Sequence, residues 1–253
     1  MMNPNTPMIA VITGDVVNST AGAKKASAGD MTLDATRTFL SDKSVSERAH
    51  IYEKGTNGDQ SLLWLEQLKA ALGHFGVSPH DWQIYRGDSF QLWVENPENS
   101  IAIAIWLKAV MRSLGIKGLD VRMAIGVGRV DYVSDQVIES NGEAFIYSGT
   151  LFDTLKKRTL AIKTPWHELD KSINLCLKLA LLTMDRWTAN SAQIVSLSMQ
   201  MPHATQSEIA QELNIPQSRV SEGLDRAGYE AIMEMEQYCR DLMKHGNVIK
   251  RQV

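Results

Sequence analysis

Only two cysteines occur among 253 residues, Cys176 and Cys239, and neither sits in a Cys-x-x-Cys or Cys–His pairing. Both fall in helix-like patterns, which points to buried free thiols and away from a disulfide framework or redox motif. The histidines at 50, 74, 80, 167, 203 and 245 show neither i,i+4 nor His-x-His spacing, so no zinc motif is written into them. A Gly-x-Ser-x-Gly elbow and a Walker-type loop are both missing, which sets aside the commonest hydrolase and NTPase readings. No apolar run approaches the roughly 20 residues that span a bilayer. Residues 1–7 are polar and lack the basic-then-apolar layout of a signal peptide, so the expectation is a cytoplasmic protein without a membrane partner. A net charge of −3 argues against nonspecific nucleic-acid binding by the whole molecule and leaves a local basic face open.

What is present is ordinary globular composition, 44% hydrophobic and 22% charged, in a chain long enough for one large domain or two modest ones. Residues 8–12 (MIAVI) form a continuous apolar run closed by Thr13-Gly14-Asp15, which predicts a strand buried on both faces. Residues 20–59 turn small and polar with no sustained period, and read as an inserted surface loop. A helical stripe of Leu62, Leu63, Leu65, Leu68 and Leu72 follows. WQIY and SFQLWV, joined at Arg86-Gly87-Asp88, predict a hairpin with Asp88 near its tip. Residues 99–114 carry a helical period, 121–127 (VRMAIGV) a strand, 144–155 a helix, and 160–162 a last short strand before Pro165. Gly126 and Gly128 permit close backbone approach. This order predicts an α+β fold with an antiparallel-rich sheet of ferredoxin-like type.

Beyond residue 166 no strand pattern appears. Residues 167–187 are apolar almost all round, which predicts a linker helix (166–188) buried between parts of the chain or between subunits. Three helices with short connections and a longer amphipathic one follow, so the expected division is 1–165, the linker, and an all-helical domain at 189–253.

Of four Gly-Asp pairs, only those ending in Asp15 and Asp88 border apolar strands. Two carboxylates on neighbouring strand ends make a hard-oxygen site suited to Mg²⁺ or Mn²⁺ with a bound phosphate. They equally serve as turn formers. The blocks AVITGDVVNS (10–19), IYRGDSFQL (84–92), DVRMAIGVG (120–128) and NGEAFIYSG (141–149), followed by a helix-turn-helix, resemble the SatD family. The first three also resemble a reduced class III nucleotidyl cyclase. That resemblance implies that Asp15 and Asp88 hold the metal and that Val16, Asn18 and Ser19 face nucleotide phosphates. Arg86 meets a phosphate or caps its turn, and Glu139 contacts a base or is a solvated loop carboxylate. Cyclases carry Asn and Arg in the helix after the Gly matched by Gly142; here those positions are Ile146 and Thr150, which argues against efficient cyclisation.

Thr205-Gln206-Ser207-Glu208 is a capping box that opens a helix. Asn214 suits a left-handed turn and Ile215-Pro216 leads into QSRVSEGLDRAG. TQSEIAQELNIPQSRVSEGLDRA resembles the helix-turn-helix of bacterial regulators, which implies Gln217, Ser218, Arg219 and Ser221 as groove-facing residues. From residue 189 onward six Lys or Arg stand against eight acidic residues, so DNA binding calls for a homodimer, or the motif serves protein contact. The expected function is that of a SatD-like DNA-binding transcriptional regulator with a nucleotide- and metal-binding, cyclase-like sensor. The alternatives are an active two-metal nucleotidyl cyclase or nucleotidyltransferase, and a non-catalytic interaction module.

Overall fold

The computed structural model describes residues 8–19 and 60–249, and the expected inserted loop at 20–59 lies outside them. Strand β1 (Met8–Val17) leads to helix α1 (Gln60–Leu72), the hairpin β2 (Trp82–Tyr85) and β3 (Ser89–Val94), and helix α2 (Ser100–Ser113). Then come β4 (Asp120–Tyr132), the two-residue β5 (Asn141–Gly142), α3 (Glu143–Thr154) and β6 (Leu160–Lys163). Five helices complete the chain: α4 (His167–Met184), α5 (Ala189–Gln200), α6 (Gln206–Leu213), α7 (Gln217–Ala227) and α8 (Tyr229–Ile249).

The fold is α+β, as the alternation of periods predicts. The strands stand in the order β2-β3-β1-β4-β5, with β6 running parallel to the first half of β4 and every other pair antiparallel. Period-two alternation divides the sheet's side chains between two covers. Ala10, Ile12, Phe90, Leu92, Met123 and Ile125 pack with Leu68 and Leu72 of α1 and Ile101 and Ile105 of α2. Ile9 and Val11 face the other way, against Ala144 and Phe145 of α3.

β1 corrects the expectation that it closes at Thr13. It runs on through Gly14 and Asp15 to Val17, so Asp15 lies within a strand and not just beyond one. Gly14 is there for space. A Cβ on it would come within 2.5 Å of the Phe90 ring. β4 likewise extends past Gly126 and Gly128, because these glycines lie beneath α3, where a Cβ would stand 2.1 Å from the Ala144 carbonyl oxygen and 2.5 Å from the Glu143 Cβ.

α4 is less evenly apolar in space than in sequence. One stripe, Ile173, Leu177, Leu181 and Met184, is buried, while Leu175, Leu179 and Leu182 are 58, 59 and 62% exposed. Among the described residues those three leucines therefore do not pack one part of the chain onto another. Asn174 finishes the open edge of β6: its amide accepts from the Ile162 N–H (3.0 Å) and donates to the Ile162 carbonyl (2.8 Å), replacing a strand neighbour. The buried cluster continues from the sheet through α2 and α4 into α5 and α8, with Ala192, Val195, Cys239 and Met243 among its members.

A charged network pins this junction. Lys108 of α2, fully buried, reaches Asp120 at the start of β4 (2.9 Å) and Asp185 after α4 (2.8 Å). Arg112, one turn on, bonds Asp120 (2.7 Å) and the Trp187 carbonyl (2.8 Å). The Trp187 indole N–H then donates to the Ala227 carbonyl at the end of α7 (2.9 Å).

Candidate functional site

Two polar regions carry the predicted residues. The first is the end of β1. Antiparallel register sets Asp15 between Ser89 on β3 and Arg122 on β4, with Tyr85 of β2 opposite Ser89. Arg122 clasps Asp15 with both sides of its fork, Nε to Oδ1 at 3.0 Å and Nη2 to Oδ2 at 2.5 Å. Its guanidinium lies 5.5 Å from the Phe152 ring centre, over α3. The bond to Asp15 raises the Arg122 pKa further, so its charge is permanent. Burial pushes the neighbouring Tyr85 phenol above its ordinary range, with Arg86 opposing and Asp15 and Asp153 adding to the rise.

Asp88 has other partners. Its carbonyl accepts from the Val16 N–H (3.0 Å) and its carboxylate from the Ser19 hydroxyl (2.8 Å). Asn18 is left-handed (φ 58°) and donates its amide to the Gly118 carbonyl (2.6 Å). Arg86 (φ 52°) and Gly87 (φ 88°) turn the hairpin, and Arg86 is exposed with no ion pair among the described residues. One row further along the sheet, Gln91 donates to Thr13 (3.4 Å) and Thr13 to Ser148 (3.0 Å). The amide oxygens of Gln83 and Gln91 are buried there without a partner among the described residues.

The structure thus gathers Asp15, Val16, Asn18, Ser19, Arg86 and Asp88 at one sheet end. Two details differ from the expectation. The Val16 amide is spent on Asp88 and is not available to a phosphate, and Asp15 is already neutralised by Arg122. Glu139 is not part of the cluster: it is exposed and accepts from Ser134 (2.9 Å) and Gln136 (3.4 Å) within its own loop. Ile146 is 53% exposed, and the Thr150 hydroxyl donates back to the Ile146 carbonyl (2.6 Å). α3 contains no Lys or Arg. Among the described residues no three His, Cys, Asp or Glu side chains form a metal-binding group.

Arg122 is the residue that reading along the chain overlooks. The available signal was a cation inside the otherwise apolar run VRMAIGV, where strand alternation puts it on the face opposite Val121 and Met123.

The second region is the α6–α7 pair. Thr205 accepts from the Glu208 N–H (3.3 Å) while Glu208 accepts from the Thr205 N–H (2.7 Å), completing the capping box. That backbone bond, seconded by the Thr205 hydroxyl, holds the Glu208 pKa below its ordinary value. Asn214 ends α6 in the left-handed conformation (φ 51°) and Pro216 precedes α7. Ile209, Ala210 and Val220 pack with Ile194 and Leu197 of α5 in a small core of their own. Gly223 lets α7 approach α5, since a Cβ there would fall 2.3 Å from the tip of Ile194. Gln217, Ser218 and Arg219 are consequently exposed and Ser221 is half-buried. Gln217 donates to Gln206 (2.6 Å), and Glu222 lies 3.9 Å from Arg219 and 3.7 Å from Arg226.

Among the described residues no helix is long and apolar enough to cross a membrane. No family model, curated protein or solved structure matches this chain.

Proposed function

We propose that this protein is a cytoplasmic SatD-like regulator in which a cyclase-like sheet senses a nucleotide and a helix-turn-helix, α6–α7, reads DNA as a homodimer. The strand order β2-β3-β1-β4, with α1 and α2 on one face, supports a ferredoxin-like reading of the sheet. The observation that carries the DNA reading is the outward row Gln217, Ser218 and Arg219 on a helix whose inner side is fixed by Val220 and Gly223. Such a helix presents bidentate donors to base edges without having to reorganise. Glu222 stands between Arg219 and Arg226, which tempers its repulsion of phosphates.

At the sheet end, Asp15 and Asp88 are the residues that would hold Mg²⁺ or Mn²⁺, and Arg86 and Arg122 the cations for phosphate oxygens. The metal would neutralise phosphate charge. Asp15 would reach it only by yielding Arg122, which would then be free for the phosphate. The absence of any cation on α3 and the self-bonded Thr150 favour sensing over cyclisation. The exposed leucines 175, 179 and 182 lie on one side of α4 and support self-association.

Selection of duplexes from a random library by the full-length protein tests the reading. We expect an enriched two-fold symmetric sequence, with Arg219→Ala weakening its binding by about 1–3 kcal/mol and relaxing specificity at one position. Failure to enrich any sequence overturns it. Light scattering should report a dimer that Leu179→Glu converts to a folded monomer. The runner-up enzyme is tested by incubation with ATP or GTP and Mn²⁺; a cyclic product lost in Asp15→Ala replaces the sensor reading.

A further inference from the structure

A cleft of about 920 Å³ opens where α1, α2 and α5 meet, on the α1/α2 side of the sheet and away from the face that carries Asp15 and Arg122. It has an aromatic wall. Trp106 of α2 lies with its ring 5.2 Å from His74 and 5.5 Å from Phe75, the latter edge-on. The Trp106 N–H is committed to the Ser196 carbonyl of α5 (3.2 Å), which ties the two sides of the cleft together. Space comes from small residues, Ala70, Ala102, Gly115 and Ala189 among them.

Among the described residues the lining excludes charge: it contains no Asp, Glu, Lys or Arg, and His74 is its one titratable side chain. His74 donates from Nδ1 to the Ala70 carbonyl (2.8 Å), which leaves Nε2 for another partner. Gln67 and Gln193 line the cleft, and their side-chain amides make no hydrogen bond among the described residues. A mostly apolar cleft of this size with a few convergent polar groups is the usual form of a small-molecule site.

We propose that this cleft binds a small, uncharged, planar heteroaromatic molecule, with its ring against Trp106, His74 and Phe75 and its polar edge on Gln67 and Gln193. A charged ligand would enter without a counter-ion and carry its desolvation cost unrepaid. A flat ring gains area and favourable quadrupole geometry against the aromatic wall. A purely hydrocarbon ring would leave the amides unmatched, whereas a heterocycle's donors and acceptors satisfy them. The site goes beyond the sheet-end sensor and stands without it. Its position is consequential, because α5 also carries Ile194, the contact surface of α7 at Gly223.

The test uses the full-length protein with adenine and indole as planar probes and cyclohexanol as a non-planar control, read by saturation-transfer NMR. We expect saturable binding of at least one planar probe and none of cyclohexanol. Ala102→Phe, which fills the cleft, should weaken binding by about tenfold or more, and Gln193→Ala should weaken the heterocycle with matching edges several-fold. Arg86→Ala, at the sheet end, should leave binding unchanged. Circular dichroism checks that Ala102→Phe is folded, and Gln193→Ala carries the test if it is not. Absence of saturable binding, equal binding in a folded Ala102→Phe, or loss in Arg86→Ala overturns the proposal.

Discussion

The sheet end and the α6–α7 pair are both polar, yet they are held together over very different distances in sequence. Asp15 meets Arg122 across 107 positions, and Gln91 meets Thr13 across 78. In the helix pair the capping box closes over three positions and the Arg226–Glu222 contact over four. The first arrangement exists only once three strands are aligned; the second is largely formed as each helix starts. Disturbing long-range contacts should therefore cost more, and spread further, than disturbing local ones.

Lys108 is the sharpest probe of this difference, because it stands between sheet and helices. Lys108→Met removes the buried cation shared by Asp120 and Asp185, leaving Asp120 to Arg112 and the part-exposed Asp185 to Thr159, and should cost about 3 kcal/mol in urea unfolding. A cost under about 1 kcal/mol would remove the junction from the account.

Two glycines compare the regions directly. Gly126→Ala drives a methyl into the backbone of α3, which cannot give, and should cost about 3 kcal/mol. Gly223→Ala meets only the mobile end of Ile194, while the helix gains propensity, so its cost should be about 1 kcal/mol or less. Equal thermal shifts in the two variants would break the contrast.

Asp15→Asn removes a charge-assisted fork that is partly open to solvent, and should lower stability by about 1.5 kcal/mol. Asp88→Asn, which retains an acceptor for Ser19, should cost less. If Asp88→Asn proves the larger, the Arg122 clasp is not what organises this end.

The smallest effect belongs to the cap. Thr205→Ala should cost about 1 kcal/mol. The Glu208 pKa is lowered on folding, so its contribution is present above the ordinary value of 4.5 and is lost as pH falls through the lower folded value. The difference between wild type and Thr205→Ala should accordingly narrow in acid, as followed by thermal melts at pH 7 and pH 3. A gap that widens toward acid contradicts the sign.

The cysteines follow the same division. Burial, reinforced by neighbouring Cys176, pushes the Cys239 thiol up to about 12, which a helix pattern in sequence does not reveal.

Much of this was legible along the chain. The hairpin at residues 82–94, the helices, the capping box, Asn214 and the exposed row at Gln217 to Arg219 each depend on neighbours within a turn or a strand repeat, so their periods are visible. That Asp15 and Asp88 stand at one sheet end was readable from their places bordering apolar strands. The extension of β1 through Gly14 was not, because glycine before aspartate signals a turn unless a ring such as Phe90 needs the space. Nor was the two-sidedness of α4, whose leucines look alike until β6 and α8 choose one stripe.

By itself, then, the sequence determined what short-range physics controls: which segments are helices or strands, where the caps and turns between helices fall, and which residues carry charge or hydrogen-bonding groups. Only the tertiary structure decided which charges are spent on one another. Arg122 on Asp15, Lys108 between Asp120 and Asp185, and the apolar cleft closed by α5 all arise from strand register and helix packing. These bring together groups that no local period relates, and whether a side chain is free to act is settled by such neighbours.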